Sequence, residues 1–259
     1  RHTGGIVRDY ISYSELKLWN ECTHRHKLKY IDGLEDFTGN LYTAFGSAIH
    51  SVCENIALKK DISGQEYFIE AFNEEVGKLK PDVMDKSLHE SMYAQAPGII
   101  EKVAAALDAT FPGYKVIGVE EELHEEVDDI DIKLKGYIDL IIQTPDEKYH
   151  IIDWKTCSWG WDARKKADKI IGYQLVLYKR FWAKKHNVPL EQIETHFGLL
   201  KRTAKKNQVE IFRISTGQKK INNALTLLRH AVINIENKRV FKNRLSCKYC
   251  PFYKTEHCT

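Results

Sequence analysis

Residues 136–155 read Gly136-Tyr-Ile-Asp-Leu-Ile-Ile-Gln-Thr-Pro-Asp-Glu-Lys-Tyr-His-Ile-Ile-Asp-Trp-Lys155: two apolar, isoleucine-rich runs joined by Thr144-Pro-Asp-Glu147. Pro and Asp in the joint and β-branched residues on either side predict two antiparallel strands closed by a turn. Pairing Thr144 with Lys148 sets Asp139 opposite Asp153, with both side chains on one face and roughly 5 Å between β-carbons. A slip of one residue would set Asp139 against Trp154 and dissolve the pair. Asp153 and Lys155 are two apart on a strand and point to the same side. Two adjacent carboxylates repel unless a cation lies between them, and carboxylate oxygens suit Mg²⁺ or Mn²⁺. A cation held there would support hydrolysis of a phosphodiester, with the lysine orienting a water or offsetting charge. The tripeptide Asp/Glu-x-Lys by itself says nothing, since it recurs at Glu15–Lys17, Asp131–Lys133, Asp146–Lys148 and Glu236–Lys238. What distinguishes Asp153-Trp-Lys155 is its place at the end of an apolar strand.

Working outward, Tyr114–Val127, Asp131–Gln143 and Lys148–Thr156 have strand composition. Upstream, Ser12-Tyr-Ser-Glu15 has capping-box spacing and opens a helix whose apolar face runs through Tyr13, Leu16, Trp19, Leu28 and Tyr30. Leu41–Lys59 reads as a second helix. Residues 64–110 read as helical with breaks at Pro81 and Pro97. Downstream, Ala163–His186 is an amphipathic helix. Thr195–Thr203 and Gln208–Ser215 form a hairpin, and Gly217–Lys238 is a last helix. This order predicts an α/β protein with a mixed central sheet flanked by helices. We expect one domain over 1–259, comprising a helical region (1–112), a sheet core (113–216), and a helix with a Cys-rich tail (217–259).

The chain has 259 residues, 43% hydrophobic and 29% charged, as in ordinary globular proteins. Its longest run without Asp, Glu, Lys or Arg, Phe37 to Cys53, is too short to span a bilayer. No secretory pattern opens the sequence given, so a reducing, cytoplasmic setting is expected. The net charge of +3 conceals an asymmetry. Residues 1–154 carry 16 Lys and Arg against 29 Asp and Glu, whereas 155–259 carry 23 against 7. The basic half points to a polyanionic partner. Its runs are Arg164-Lys-Lys166, Lys179-Arg180, Lys184-Lys185, Lys201-Arg202, Lys205-Lys206 and Lys238 to Lys248, with Trp159, Trp161, Tyr173, Phe181 and Trp182 interleaved. Lysine and arginine neutralise phosphates while aromatic rings stack on unpaired bases, and Trp159 and Trp161 follow Lys155 most closely. No Walker A loop is present.

Two further motifs flank the hairpin: Gly46-Ser-Ala-Ile-His50 before it, and Gln174-Leu-Val-Leu-Tyr178 after it, with Gln and Tyr on one helical face. In order, Gly-x3-His, Gly-x2-Asp, Asp-x-Lys and Gln-x3-Tyr resemble the RecB-type branch of the PD-(D/E)XK nucleases. The resemblance implies a restriction-endonuclease-like core and a DNA exonuclease or related nuclease acting on single strands or ends. It implies that Asp139, Asp153 and His50 are ligands of Mg²⁺ or Mn²⁺, and that Lys155 is the catalytic lysine. Gln174 and Tyr178 are implied to support the site and contact the DNA backbone. Glu120 is a further carboxylate candidate, with Glu121 and Glu122 as alternatives. A non-catalytic DNA-binding or scaffold protein with the same fold is the alternative reading.

Of six cysteines, Cys247, Cys250 and Cys258 crowd the C-terminus as C-x2-C-x7-C. In a reducing compartment such clusters bind metal more often than they pair. Three thiolates need a fourth ligand, and Cys22 is the candidate. Its surroundings resemble the iron–sulfur members of the same branch, the CRISPR-associated RecB-type exonucleases and AddB-type nuclease domains. That resemblance implies a [4Fe–4S] cluster joining the two chain ends. His24, His26 and His257 leave a Cys₃His zinc site open.

Overall fold

The computed structural model describes residues 9–259. A short strand β1 (Tyr10–Ser12) leads into α1 (Tyr13–Glu21). The Ser12 hydroxyl accepts the Glu15 N–H at 3.2 Å, as the capping spacing predicts. The Glu15 carboxylate does not complete the box, but turns inward to His26 Nε2 at 2.7 Å, both side chains buried. The single opening helix expected through Tyr30 is interrupted at Cys22, which is extended (φ −161°, ψ 111°). Beyond it come α2 (Thr23–His26) and a π-helical turn, Lys27–Ile31.

Helix α3 (Leu41–Ala57) starts at a reciprocal capping box between Asn40 and Thr43. Next are α4 (Gly64–Gly77), a 3₁₀ turn at Pro81–Val83, and α5 (Lys86–Thr110). The expected break at Pro97 is absent, and α5 runs through it. Met92, Ala96, Ile99, Val103 and Leu107, on both sides of the proline, are buried in the core shared with α3 and α4. That packing holds the two halves in line despite the hydrogen bond a proline removes.

The sheet contains β2 (Lys115–Glu126), β3 (Lys133–Gln143), β4 (Tyr149–Cys157), β5 (Ile193–Lys201) and β6 (Val209–Ile214). Its path is β1-β3-β4-β5-β6, with β2 paired along β3. Pairs β2–β3, β3–β4 and β5–β6 are antiparallel, while β1–β3 and β4–β5 are parallel. The parallel β4–β5 step is made by the crossover α6 (Ala163–Lys166) and α7 (Lys169–His186). The one long helix expected there is divided because Asp168 caps α7, accepting the Ile171 N–H at 3.0 Å. Helix α8 (Gln218–Glu236) follows β6. The result is the expected mixed sheet flanked by helices.

Both faces of the sheet are covered. Ile138, Ile141 and Ile151 pack with Leu175 and Trp182 of α7 and Leu228 of α8. On the other face Leu140, Ile142, Ile152 and Trp154 pack with Phe45, Phe68, Phe72 and Ile99 of the N-terminal helices. Leu28, Phe252 and Cys258 form a small third cluster where the chain ends meet. No described helix is long and apolar enough to cross a membrane.

Candidate active site

The hairpin register is the one the turn composition predicts: Thr144 N–H donates to Lys148 O at 3.0 Å, and Leu140 pairs with Ile152 as the last rung. Beyond that rung the strands part. Strand β3 pairs with β4 over Leu140–Gln143 and with β1 over Lys133–Lys135. Because β2 occupies the other edge of β3 throughout, Gly136–Asp139 face a gap between β1 and β4. Asp139 fills part of it: its Oδ2 accepts the Trp154 N–H at 2.7 Å, replacing the missing strand partner.

Asp153 lies across the gap with its side chain 3% exposed, and its Oδ2 is 2.7 Å from Lys155 Nζ. The distance is that of an ion pair, but the angle is not that of a hydrogen bond, and this buried oxygen has no hydrogen-bond partner. Helix α3 brings His50 in from above, its Nδ1 3.7 Å from Asp139 Oδ2. Gly46, one turn earlier, faces Thr156 of β4, where a β-carbon would stand at ordinary contact distance, 3.4 Å from Oγ1. Burial holds His50 down to about 4, so at neutral pH the imidazole is uncharged with a lone pair available. Burial and the neighbouring Asp153 push Asp139 well above the usual carboxylate range.

Glu120 sits on β2 beside these groups in a left-handed conformation (φ 46°). Burial, Glu54 and Asp153 all raise its carboxyl. Glu121 and Glu122 turn elsewhere, the first to Lys185, His186 and Trp182, the second to Lys135 and Tyr137. Sequence reasoning missed Glu54, although its place one turn after His50 on α3 was a usable signal. Gln174 Nε2 donates to Tyr178 OH at 3.3 Å, as the helical spacing predicts. The Tyr178 ring lies on Gly136, where a β-carbon would come within 2.8 Å of Cε1. Burial and Asp153 raise its phenol. Tyr13 joins the same wall, its hydroxyl donating to Ile170 O at 2.8 Å, and burial and Asp153 raise it too.

Several basic residues in the C-terminal half are committed to carboxylates. Lys166 and Lys201 both hold Glu210, Arg180 and Lys184 hold Asp128, and Lys185 holds Glu121. Arg202 donates to Gln95 Oε1 and Ser158 Oγ, each at 2.9 Å, and underlies the Tyr42 ring. Trp161 packs on Phe197 and Phe212, and Tyr173, Phe181 and Trp182 are core. Trp159 alone of the interleaved aromatics is exposed, at 73%. Periodicity cannot make that distinction, because a loop Trp and a core Trp look alike in sequence.

Toward the two chain ends Cys22, Cys247, Cys250 and Cys258 line one small recess together with His24, Arg25 and Phe252. All six cysteines are free thiols, and Cys53 is wholly buried. Thr23 Oγ1 and the His24 N–H both donate to Phe241 O, closing the N-terminal helices onto the tail. Among the described residues, one trio of metal-type donor atoms lies entirely within 4.8 Å, and it is elsewhere: His150, Glu194 and His196. The sequence reading did not select it.

The donor chemistry in the gap between β1 and β4 suits a hard divalent ion: two carboxylates, one with a buried oxygen that accepts no hydrogen bond and is ion-paired to Lys155, and an uncharged imidazole form a mixed oxygen–nitrogen set.

None of the curated proteins matches the chain. Among solved structures, a candidate exonuclease from Eubacterium rectale is 12% identical with a TM-score of 0.62, over 95% of this chain and 89% of that one. A second, SSO0001, is 14% identical over 92% of this chain and 93% of that one, with a TM-score of 0.38. The model of the PD-(D/E)XK nuclease superfamily matches residues 10–255. With that match spanning the sheet, both flanking helical layers and most of the cysteine tail, the chain belongs to the PD-(D/E)XK nuclease superfamily.

Proposed function

We propose that the protein is a divalent-metal-dependent DNA nuclease, an exonuclease acting on single strands or free ends. The observation that carries this reading is the meeting of Asp139, Asp153, Lys155 and His50 in a gap between two strands, with the buried Asp153 Oδ2 ion-paired to Lys155 but accepting no hydrogen bond. PD-(D/E)XK nucleases use divalent metals, and Asp139, Asp153 and His50 would hold Mg²⁺ or Mn²⁺ here. Once bound, the ion polarises a phosphodiester and lowers the pKa of a water. Lys155, 32% exposed and tethered to Asp153, can donate to that water or to a phosphate oxygen. The Trp154 N–H fixes Asp139, and Gln174 and Tyr178 brace the gap from α7 and can meet the backbone. The basic C-terminal half and the exposed Trp159 favour a polyanion with unpaired bases.

The cysteine recess supports a [4Fe–4S] cluster held by Cys22, Cys247, Cys250 and Cys258. A Cys₃His zinc site in the same recess, which His24 also lines, is the alternative occupant, and the metal content of the purified protein distinguishes the two.

The test is degradation of end-labelled single-stranded DNA with Mn²⁺ or Mg²⁺, with RNA of the same sequence alongside. Asp153→Ala and Lys155→Ala are each expected to lose roughly 1000-fold in rate. Retained cleavage in Asp153→Ala would refute the assignment. A wild type that binds every strand form and cuts none would make the protein a binding module.

A further inference from the structure

At the opposite end of β4 from Lys155, three metal-type side chains converge on the face that carries Ile152 and Trp154. His150 on β4 pairs in register with Glu194 on β5, and His196 follows two residues along β5 on the same side. His150 Nδ1 lies 3.1 Å from His196 Nε2 and 3.9 Å from Glu194 Oε2. Both histidines are buried, and Phe111 packs on both rings at 4.8 and 5.0 Å.

The surroundings present these atoms as ligands. The Thr144 hydroxyl has one proton and gives it to the Asp146 carboxylate, which that bond holds below its usual range. Thr144 Oγ1 therefore accepts from His150 Nε2–H at 3.0 Å, which fixes the tautomer and leaves a lone pair on Nδ1, the atom facing His196. Lys148 and Arg213 both approach Glu194 Oε1, at 3.5 and 3.4 Å, and leave Oε2 turned to the histidines. A partner on the far nitrogen of a histidine and on the far oxygen of a carboxylate is the outer arrangement of a metal site. Ligands of tetrahedral zinc, at about 2.0–2.1 Å from the ion, stand about 3.3 Å from one another. The separations among the three donors, 3.1 Å, 3.9 Å and at most 4.8 Å, differ from that spacing by no more than about 1.5 Å.

We infer that His150, Glu194 and His196 form a His₂Glu site for a zinc-type dication, separate from the site at Asp139 and Asp153 and from the cysteine recess. Nitrogen donors select zinc over magnesium. His196 reaches the required tautomer by carrying its proton on Nδ1, so binding replaces the histidine–histidine hydrogen bond and releases no ring proton. The ion ties the end of the β3–β4 hairpin, through Thr144, to the start of β5.

The test uses the full chain, stripped with chelator and titrated with Zn²⁺ by calorimetry and with Co²⁺ by visible absorption. Cys250→Ser and Asp153→Ala, measured alongside, report what the other two sites contribute. One equivalent should persist in both, and Zn²⁺ should raise the melting temperature. Glu194→Gln, at a half-buried position that keeps its hydrogen-bonding capacity, should fold with an unchanged metal-free melting temperature. It should bind that equivalent at least tenfold more weakly. His196→Phe should abolish the equivalent while leaving the Asp153-dependent one. Equal affinity in wild type and Glu194→Gln, or no equivalent surviving in Cys250→Ser and Asp153→Ala, would overturn the site and leave the pair as an ordinary buried hydrogen bond.

Discussion

Gly198→Ala should uncouple the active strand from its support. Gly198 pairs with Trp154 across β4 and β5. A β-carbon there would stand 2.2 Å from Cε3 and 2.3 Å from Cζ3 of the indole, where ordinary contact begins at 3.4 Å. The ring must recede by about 1.2 Å, the difference of those distances. It has nowhere to go, being 1% exposed among Phe45, Ile152 and Leu200. Overpacking a filled core costs about 1–3 kcal/mol and at times more, and so deep an overlap places the cost at about 3 kcal/mol. At about 2–4 °C per kcal/mol for a chain of this size, the melting temperature should fall by about 6–12 °C. Gly198 has an ordinary φ, so no backbone strain contributes. In a Trp154→Leu background the same change should instead stabilise by about 0.5–1 kcal/mol, because alanine loses less backbone freedom than glycine in a strand. The four proteins of this cycle, melted by circular dichroism, should show a coupling of about 3–4 kcal/mol. The Trp154 N–H also holds Asp139, so cleavage by Gly198→Ala well below its melting point should fall at least about tenfold. Additive effects in the cycle, or an unchanged melting temperature in the single variant, would refute the reasoning.

Other consequences are open to the same kind of measurement. Asp36 is 2% exposed in its side chain and bonded to Arg25 at 3.0 Å and Lys29 at 2.6 Å. Burial opposes its ionisation, but these two bonds outweigh it and hold the carboxyl below its usual range. Its stabilisation is therefore complete above the unfolded pKa of about 3.9 and is lost as pH falls through the lower folded value. Asp36→Asn should cost about 1–2 kcal/mol at pH 7, and denaturant midpoints should converge with wild type as pH falls below the lowered folded value. Tyr178→Phe removes the hydroxyl that Gln174 meets but keeps the ring on Gly136. It should melt within about 1 kcal/mol of wild type yet cleave several-fold more slowly. Protein purified without oxygen should be yellow-brown, and Cys250→Ser should lose that absorption. A colourless wild type with one zinc in the tail would refute the cluster.

How much of this was legible in the sequence is clearest at the hairpin. The turn composition at Thr144–Glu147 set the register, which holds from Gln143–Tyr149 to Leu140–Ile152, one rung short of Asp139 and Asp153. The cap at Ser12 and the period of α3 were local signals too, and they held. Glu54 and Glu120 escaped or stayed ambiguous because one carboxylate in an acidic stretch resembles the next until a backbone turn, here the left-handed Glu120, chooses among them. Pro97 misled because helix propensity is a local quantity and the packing of α5 is not. Strand β1 was invisible, since three residues acquire strand character only from the partner they find on β3.

The sequence by itself therefore determined the elements, the order of the four motifs, the hairpin register and the grouping of cysteines at the end. Each of these rests on neighbours a few residues apart, where periodicity, capping and turn chemistry act. Only the tertiary structure decided that β3 leaves β4 at Leu140 and opens the gap where Asp139, Asp153, Lys155 and His50 meet. Only there does Trp159 separate from the buried aromatics, and only there do many of the lysines find carboxylate partners. The trio at His150, Glu194 and His196 belongs to the same class. His150 lies 44 residues before Glu194 and 46 before His196, and the three come together because β4 and β5 lie side by side in parallel register, a contact made by the crossover through α7.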